Sequence, residues 1–331
     1  MLLIWPDFTH FSYRTPMLKI IRLALLILLL EAVLPAYAAG AACPPAIAQP
    51  TPEMKQAATR NARDHGFLWR ISKDGRTSYL YGTIHVAKFD WMFPGPNVSQ
   101  ALHATDTMAL ELDMQDADIQ SRMVKGMAAL KSTAMPVPLQ KRMRQQAEAA
   151  CVPYDSIASL SPELQVTALT MMVGRRAGLE AEYAIDSVLA QIGHQAKKNV
   201  VSLETPEMQL QLLQMKNPQE TILFVEDSLD ELETGRSLKM LTRIAKIWAD
   251  TDYTEMEHFD EWCECLNTET EREVMKRALD QRNPALAEHI DALHNSGKQV
   301  FAAVGSLHMF GASGLPALMA KRGYRVERVL K

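Results

Sequence analysis

Strand-like patterns sit at both ends of this chain and helical ones fill the middle. Phe67-Leu68-Trp69-Arg70-Ile71 and Thr77–Tyr81 read as strands, and Lys73-Asp74-Gly75-Arg76 between them supplies the residues of a tight hairpin turn. Gly82-Thr83-Ile84-His85 leaves the second strand. Phe93–Pro96 is loop chemistry, Asn97–Ala104 a short helix, and Asp106–Leu112 a buried strand ending in acids. From about residue 116 to 290, apolar residues recur at helical spacing, broken at Pro136, Pro138, Pro153, Pro162, Pro206, Pro218 and Pro284. One strand, Asn199–Glu204, interrupts these helices, and Pro206 opens the next one. The Glu–Lys/Arg pairs of residues 219–280 predict solvated helices. Lys298–Val304 reads as a fully buried strand, Leu315–Arg322 as a helix ended by Gly323, and Tyr324–Val329 as a closing strand. Sheet segments at both ends with helices between predict an α/β protein with a mixed α+β sheet and a large helical insertion.

The bulk numbers add exclusions. With 331 residues, 47% of them hydrophobic, the chain can bury an ample core. Its net charge of −4 is spread over interspersed acids and bases, so the basic stripe of a nucleic-acid binder is missing. Met17-Leu-Lys-Ile-Ile-Arg22, the apolar run Leu23–Leu30 and Ala36-Tyr37-Ala38 read in order as the basic, hydrophobic and cleavage regions of a signal peptide. Residues 1–38 are then the leader, with 1–16 an extension upstream of a start at Met17, and no membrane span is expected after cleavage. Residues 39–66 read as a linker or leading segment, and 67–331 as one domain in the periplasm or outside the cell. Export would place Cys43, Cys151, Cys263 and Cys265 in an oxidising compartment, where they admit three pairings. A direct Cys263–Cys265 bridge would be strained, so the expectation is that each reaches a distant partner, Cys43 or Cys151. A Cys-x-Cys metal site is the competing reading.

Two turns carry the candidate chemistry. Leu80-Tyr81-Gly82-Thr83-Ile84-His85 and Ala303-Val304-Gly305-Ser306-Leu307-His308 share the order strand, glycine, small hydroxyl, aliphatic, histidine. Glycine lets the backbone turn sharply, and the histidine then projects beyond a strand end, where α/β folds place ligands. Glu111 and Glu204 end strands of their own. Two imidazoles with one or two carboxylates suit a borderline divalent ion such as Zn²⁺ or Mn²⁺, and without metal a His–Glu pair suits general-base work. The plainer alternative makes the histidines buried turn residues and the acids helix caps, Glu204 before Thr205-Pro206 especially. Arg282-Asn283, just before Pro284, suits an anionic intermediate or, more simply, a surface turn. His65, His103, His194, His258, His289 and His294 have no paired context and read as surface or core.

At these residues the chain resembles the TraB/GumN family, which includes the TIKI proteins. The resemblance rests on Tyr79-Leu-Tyr-Gly-Thr-Ile-His-Val86, Ala109-Leu-Glu-Leu-Asp113, Ser202-Leu-Glu-Thr-Pro-Glu-Met-Gln-Leu210, Arg282-Asn283, Val304-Gly-Ser-Leu-His-Met-Phe-Gly311 and Gly323-Tyr-Arg-Val326. It implies a mixed-sheet core like that of erythromycin esterases and, from the TIKI-like members, a metal-dependent peptidase. The matching positions are His85, Glu111 and His308 as ligands of a divalent Mn, Co or Zn ion. Glu204 or a metal-bound hydroxide would be the base, Arg282 the oxyanion partner, and Asn283 a further member of the cleft. The expected partner is a peptide or protein substrate, and oligomeric state is left open. From other classes come a non-catalytic haem- or ligand-binding envelope protein and an accessory factor of polysaccharide or plasmid-exclusion systems.

Overall fold

Asp74 and Gly75 both take positive φ, 51° and 74°, which is the backbone of a two-residue hairpin and the reason a glycine sits there. In the computed structural model, which describes residues 43, 44, 47, 49–130 and 132–330, this turn joins β1 (Phe67–Lys73) to β2 (Arg76–Thr83) in antiparallel register. Four further strands complete one mixed sheet: β3 (Thr107–Leu110), β4 (Asn199–Ser202), β5 (Val300–Gly305) and β6 (Arg325–Arg328), in the order β4-β3-β5-β2-β1-β6. The expected strands are all present, several of them a residue or two shorter or longer than the apolar runs. The proposed leader lies outside the described residues. Among the described residues, no helix is long and apolar enough to cross a membrane.

Direction matters more than order. β2 runs parallel to β5, β5 to β3, and β3 to β4, so four adjacent strands end on the same edge of the sheet. Parallel neighbours require crossovers, and the helices supply them. All of β3 and nearly all of β5 are buried, as expected of strands covered on both faces. The helix Ile185–Gln195 approaches the sheet closely at Gly193, where a methyl group would lie 3.0 Å from Val200 and 3.3 Å from Met108. The helix Asn283–Asn295 lays Leu286, Ala287, Ile290 and His294 into the core. Prolines stand at the first or second position of this helix and of Pro162–Met172, Pro206–Leu212 and Pro218–Glu233, where a missing N–H costs nothing.

Two expectations are corrected. The helices of residues 219–280 are not solvated all round. Pro218–Glu233 buries Val225, Leu229 and Leu232, spaced four and three apart, in a second apolar cluster with Leu139, Met143 and Leu169. Arg236–Asp250 buries Trp248 completely, and its indole N–H donates to the Gly82 carbonyl at 2.8 Å. The cysteines pair as Cys43–Cys151 and Cys263–Cys265, not as two long-range bridges from 263 and 265. Cys151 ends the segment after the helix Val137–Ala149, so the first bridge fastens the leading segment to the helical cluster across 108 residues. Closing so long a loop restricts the unfolded chain. Cys151→Ser is therefore expected to lower unfolding free energy by about 2–4 kcal/mol in denaturant titrations. The wild type under reducing agent should lose a comparable amount.

Candidate functional site

The shared strand edge gathers the site. Leu110 lies opposite both Ser202 and Ala303, and Thr83 opposite Gly305. The residues that leave the edge are, in order across the sheet, Glu204 after β4, Glu111 after β3, His308 after β5 and His85 after β2. The ladder continues one step beyond the strands, with the Glu204 N–H donating to the Glu111 carbonyl at 3.0 Å. Ligands of open α/β sheets collect at such carboxyl ends.

The two glycines let the turns interlock. A methyl group at Gly82 would meet Ser306 Oγ at 2.9 Å, and that hydroxyl donates to the Thr83 carbonyl at 2.8 Å. At Gly305 a methyl group would fall 3.3 Å from Glu111 Oε1, 3.7 Å from His308 Cδ2 and 3.9 Å from His85 Nε2. These three side chains thus converge on one point. The Gly305 N–H itself donates to Glu111 Oε1 at 2.7 Å.

Arg282, at the start of the helix Asn283–Asn295, fills the middle. Its Nε donates to Glu204 Oε1 at 2.8 Å, and Nη2 donates at 2.5 Å to both Glu204 Oε2 and Glu111 Oε2. Nη1 donates to the Ala278 carbonyl at 2.9 Å and to His308 Nε2 at 3.1 Å. A guanidinium has five N–H donors, and here each has an acceptor. Gln209 Nε2 adds a donor to both carboxylates, 3.3 Å from Glu111 and 3.1 Å from Glu204.

The neighbours of His308 fix its tautomer. Asn283 is buried, and its amide nitrogen donates to the Ser313 carbonyl at 2.9 Å, so its oxygen faces His308 Nδ1 at 2.5 Å. An amide oxygen only accepts, so Nδ1 carries the proton and Nε2 presents its lone pair, which Arg282 caps. Burial pushes the His308 imidazole down to about 4, with Glu111 opposing and Arg282 reinforcing. His85 has the opposite setting. Its Nδ1 lies 3.1 Å from Asp186 Oδ1, and the Asp186 charge raises the imidazole to about 9. Water reaches 57% of that side chain and screens part of the attraction. Burial alone would raise the Glu111 carboxyl, but His308, Arg282, His85 and the Gly305 N–H together hold it at about 2. Because His308 is neutral near pH 7, the charge that keeps Glu111 ionised there is chiefly that of Arg282.

These positions bear on the metal that the resemblance implies. His85, Glu111 and His308 are suitable donors by type and face a common point. As arranged they do not fit a cation, because one Glu111 oxygen and the His308 Nε2 lone pair already face a guanidinium. Among the described residues, no group of three or more His, Cys, Asp or Glu side chains is disposed to hold a metal.

Every residue singled out from the sequence therefore lies in one cluster: His85, Glu111, Glu204, Arg282, Asn283 and His308. Two plainer readings fail. Arg282 is no surface turn, its side chain being 13% exposed, and Glu204 caps no helix, since Thr205 receives the Met208 N–H. Two partners were missed. Asp186 stands in the first turn of Ile185–Gln195, where an acid ordinarily reads as a helix-dipole partner, and long-range backbone bonds, Ile185 N–H to the Ile84 carbonyl and the Ala87–Glu180 bridge, bring it to His85. Gln209 lies inside the Ser202–Leu210 stretch, but nothing in its spacing pointed inward. His194, read as unpaired, hydrogen-bonds Asp113 at 2.7 Å.

A mixed-sheet α/β protein with paired Gly-x-x-His turns at its parallel strand ends is the class that the fold and site define. The chain belongs to the TraB/PrgY/gumN family, which it matches over residues 67–328. It is 27% identical over 251 residues to the uncharacterized protein YbaP of Shigella flexneri, covering 74% of this chain and 88% of that one. Identity to YbaP of Escherichia coli K12 is 26% over the same length and with the same coverage. No solved structure matches.

Two outcomes follow from this geometry. Removing Arg282 strands two buried carboxylates, so Arg282→Ala should cost about 3–5 kcal/mol in denaturant unfolding. Asn283→Asp replaces a neutral acceptor by an anion, which favours the imidazolium, so the His308 resonance should titrate at higher pH in NMR than the wild type's about 4.

Proposed function

We propose that this chain is an exported hydrolase, working in the periplasm or outside the cell on peptide or protein substrates. The observation that carries the reading is the pair of histidines that converge on Glu111 in unlike settings, His308 enclosed against Asn283 and Arg282 and His85 set against the Asp186 carboxylate. Environments that push two titratable groups apart assign acid and base. His308 is the base. Its Nε2 takes a proton from water as the water oxygen bonds to the substrate carbonyl carbon, and Arg282 Nη1 gives up its bond to Nε2 for this. His85, oriented by Asp186, is the acid, giving its proton to the leaving amine as the carbon–nitrogen bond breaks. The freed Arg282 N–H turns to the developing oxyanion. Glu111 and Glu204 hold the guanidinium in place. No step here passes through a metal ion.

The Cys43–Cys151 disulfide is compatible with export. A peptide-library screen with mature protein tests the reading. His85→Ala and His308→Ala should each lower kcat/KM by about 10²–10⁴-fold. Because His308 must be neutral and His85 protonated, the pH profile should be bell-shaped, with an acid limb near about 4 and an alkaline limb at or below about 9. Asp186→Asn removes the charge that raises His85, so the alkaline limb should move to lower pH. Turnover unchanged in both alanine variants would sink the assignment. A Soret band on haem titration, with no hydrolysis at any pH, would favour a ligand-binding envelope protein instead.

A further inference from the structure

We infer that Arg282 stands in the place of a divalent cation, so that this chain's centre is built around a guanidinium and binds a metal ion only when that guanidinium is removed. The inference rests on reading these residues as one centre. A cation held by Glu111 and His308 needs a carboxylate oxygen and an imidazole lone pair facing one position. In this chain those atoms, Glu111 Oε2 and His308 Nε2, both face Arg282, at 2.5 Å and 3.1 Å. The guanidinium is further fastened by both oxygens of Glu204 and by the Ala278 carbonyl, which uses every donor it has. It is nearly buried with its carboxylate partners, at 13%, 15% and 2% side-chain exposure for Arg282, Glu111 and Glu204. A metal ion entering would need to displace a permanent charge from fully satisfied hydrogen bonds and bring a second cation beside it. Either cost opposes binding.

The same geometry says what happens once the charge is gone. Arg282→Met keeps an apolar stem but removes cation and donors. Glu111, Glu204 and the His308 Nε2 lone pair then face an uncompensated space, with His85 Nε2 nearby at the Gly305 cradle. Two carboxylates and one or two imidazoles form a donor set that Mn²⁺, Co²⁺ or Zn²⁺ accepts.

The test uses the mature protein, elemental analysis, and calorimetric and thermal-melt titrations with MnCl₂, CoCl₂ and ZnCl₂ separately. The wild type should carry substoichiometric metal and show no saturable binding and no rise in Tm. Arg282→Met should melt lower, bind one equivalent, and regain Tm as the cation is added. His308→Ala introduced into that variant should abolish the binding. If Arg282→Met does not fold, Arg282→Gln takes its place, and the wild-type measurements decide by themselves. One equivalent of metal in the wild type, lost on His308→Ala, would overturn the inference, and so would a folded Arg282→Met that binds none. Binding is read here without turnover. A metal-free wild type that hydrolyses nothing therefore removes the hydrolase reading and leaves this one standing.

Discussion

Glu111 and Glu204 end neighbouring parallel strands, and the backbone ladder that continues from β3 to β4 leaves them no freedom to part. Two buried carboxylates held side by side repel, and taking both out of water is costly unless a cation lies between them. Arg282 is that cation. It also touches His308, which follows β5, so one guanidinium ties three strand ends to the start of the helix Asn283–Asn295. The positions of Asn283, Gln209 and the Gly305 turn follow from this fork. Asn283 is the next residue along the helix, Gln209 gives each carboxylate one further donor, and at Gly305 a larger residue would crowd Glu111, which lies across it. A shift in any of these reaches the others through a single side chain.

How much of this the sequence carried depends on the range of the interaction concerned. The strands were legible because Val300–Gly305 and Phe67–Lys73 declare themselves by local apolar runs. Helix starts were legible because proline has a local reason to stand there. The Gly-x-x-His turns were legible because they occur twice. What failed was set by long-range contacts. Arg282 was named for the site through the resemblance, but its setting between two carboxylates from distant strands was not legible from its neighbours in sequence. Trp248 sits in a charge-rich stretch whose solvated face hides the buried one. For the cysteines, local strain argues against a Cys263–Cys265 bridge, whereas the fold places Cys43 beside Cys151 and leaves Cys263 to Cys265.

The repeated motif teaches a finer point. Gly82–His85 and Gly305–His308 match residue for residue in kind, and the strands before them are parallel neighbours, so the backbone delivers the two imidazoles to one place. Nothing in the repeat makes them alike in charge. His308 is enclosed by the helix Asn283–Asn295, whose Asn283 offers a neutral oxygen and whose flank carries Arg282. His85 lies at the open side, against the carboxylate of Asp186. Duplicated geometry set in unlike environments gives one imidazole that accepts a proton and one that holds it.

That asymmetry and the arginine fork are mutually dependent. A positive charge beside His308 is part of what keeps it neutral, and the same charge keeps Glu111 ionised at the edge facing His85. If a divalent ion took the guanidinium's position, His308 would become a ligand through its lone pair and could no longer serve as the base, because a metal-bound imidazole neither takes nor gives a proton at that nitrogen. The choice of cation therefore decides more than affinity. With arginine in the centre, acid–base work belongs to His85 and His308. With a metal it would pass to the metal's own bound water. The donors are shared by both designs, which is why motifs composed of them do not distinguish the two, and why the place the Arg282 side chain takes between Glu111 and His308 does.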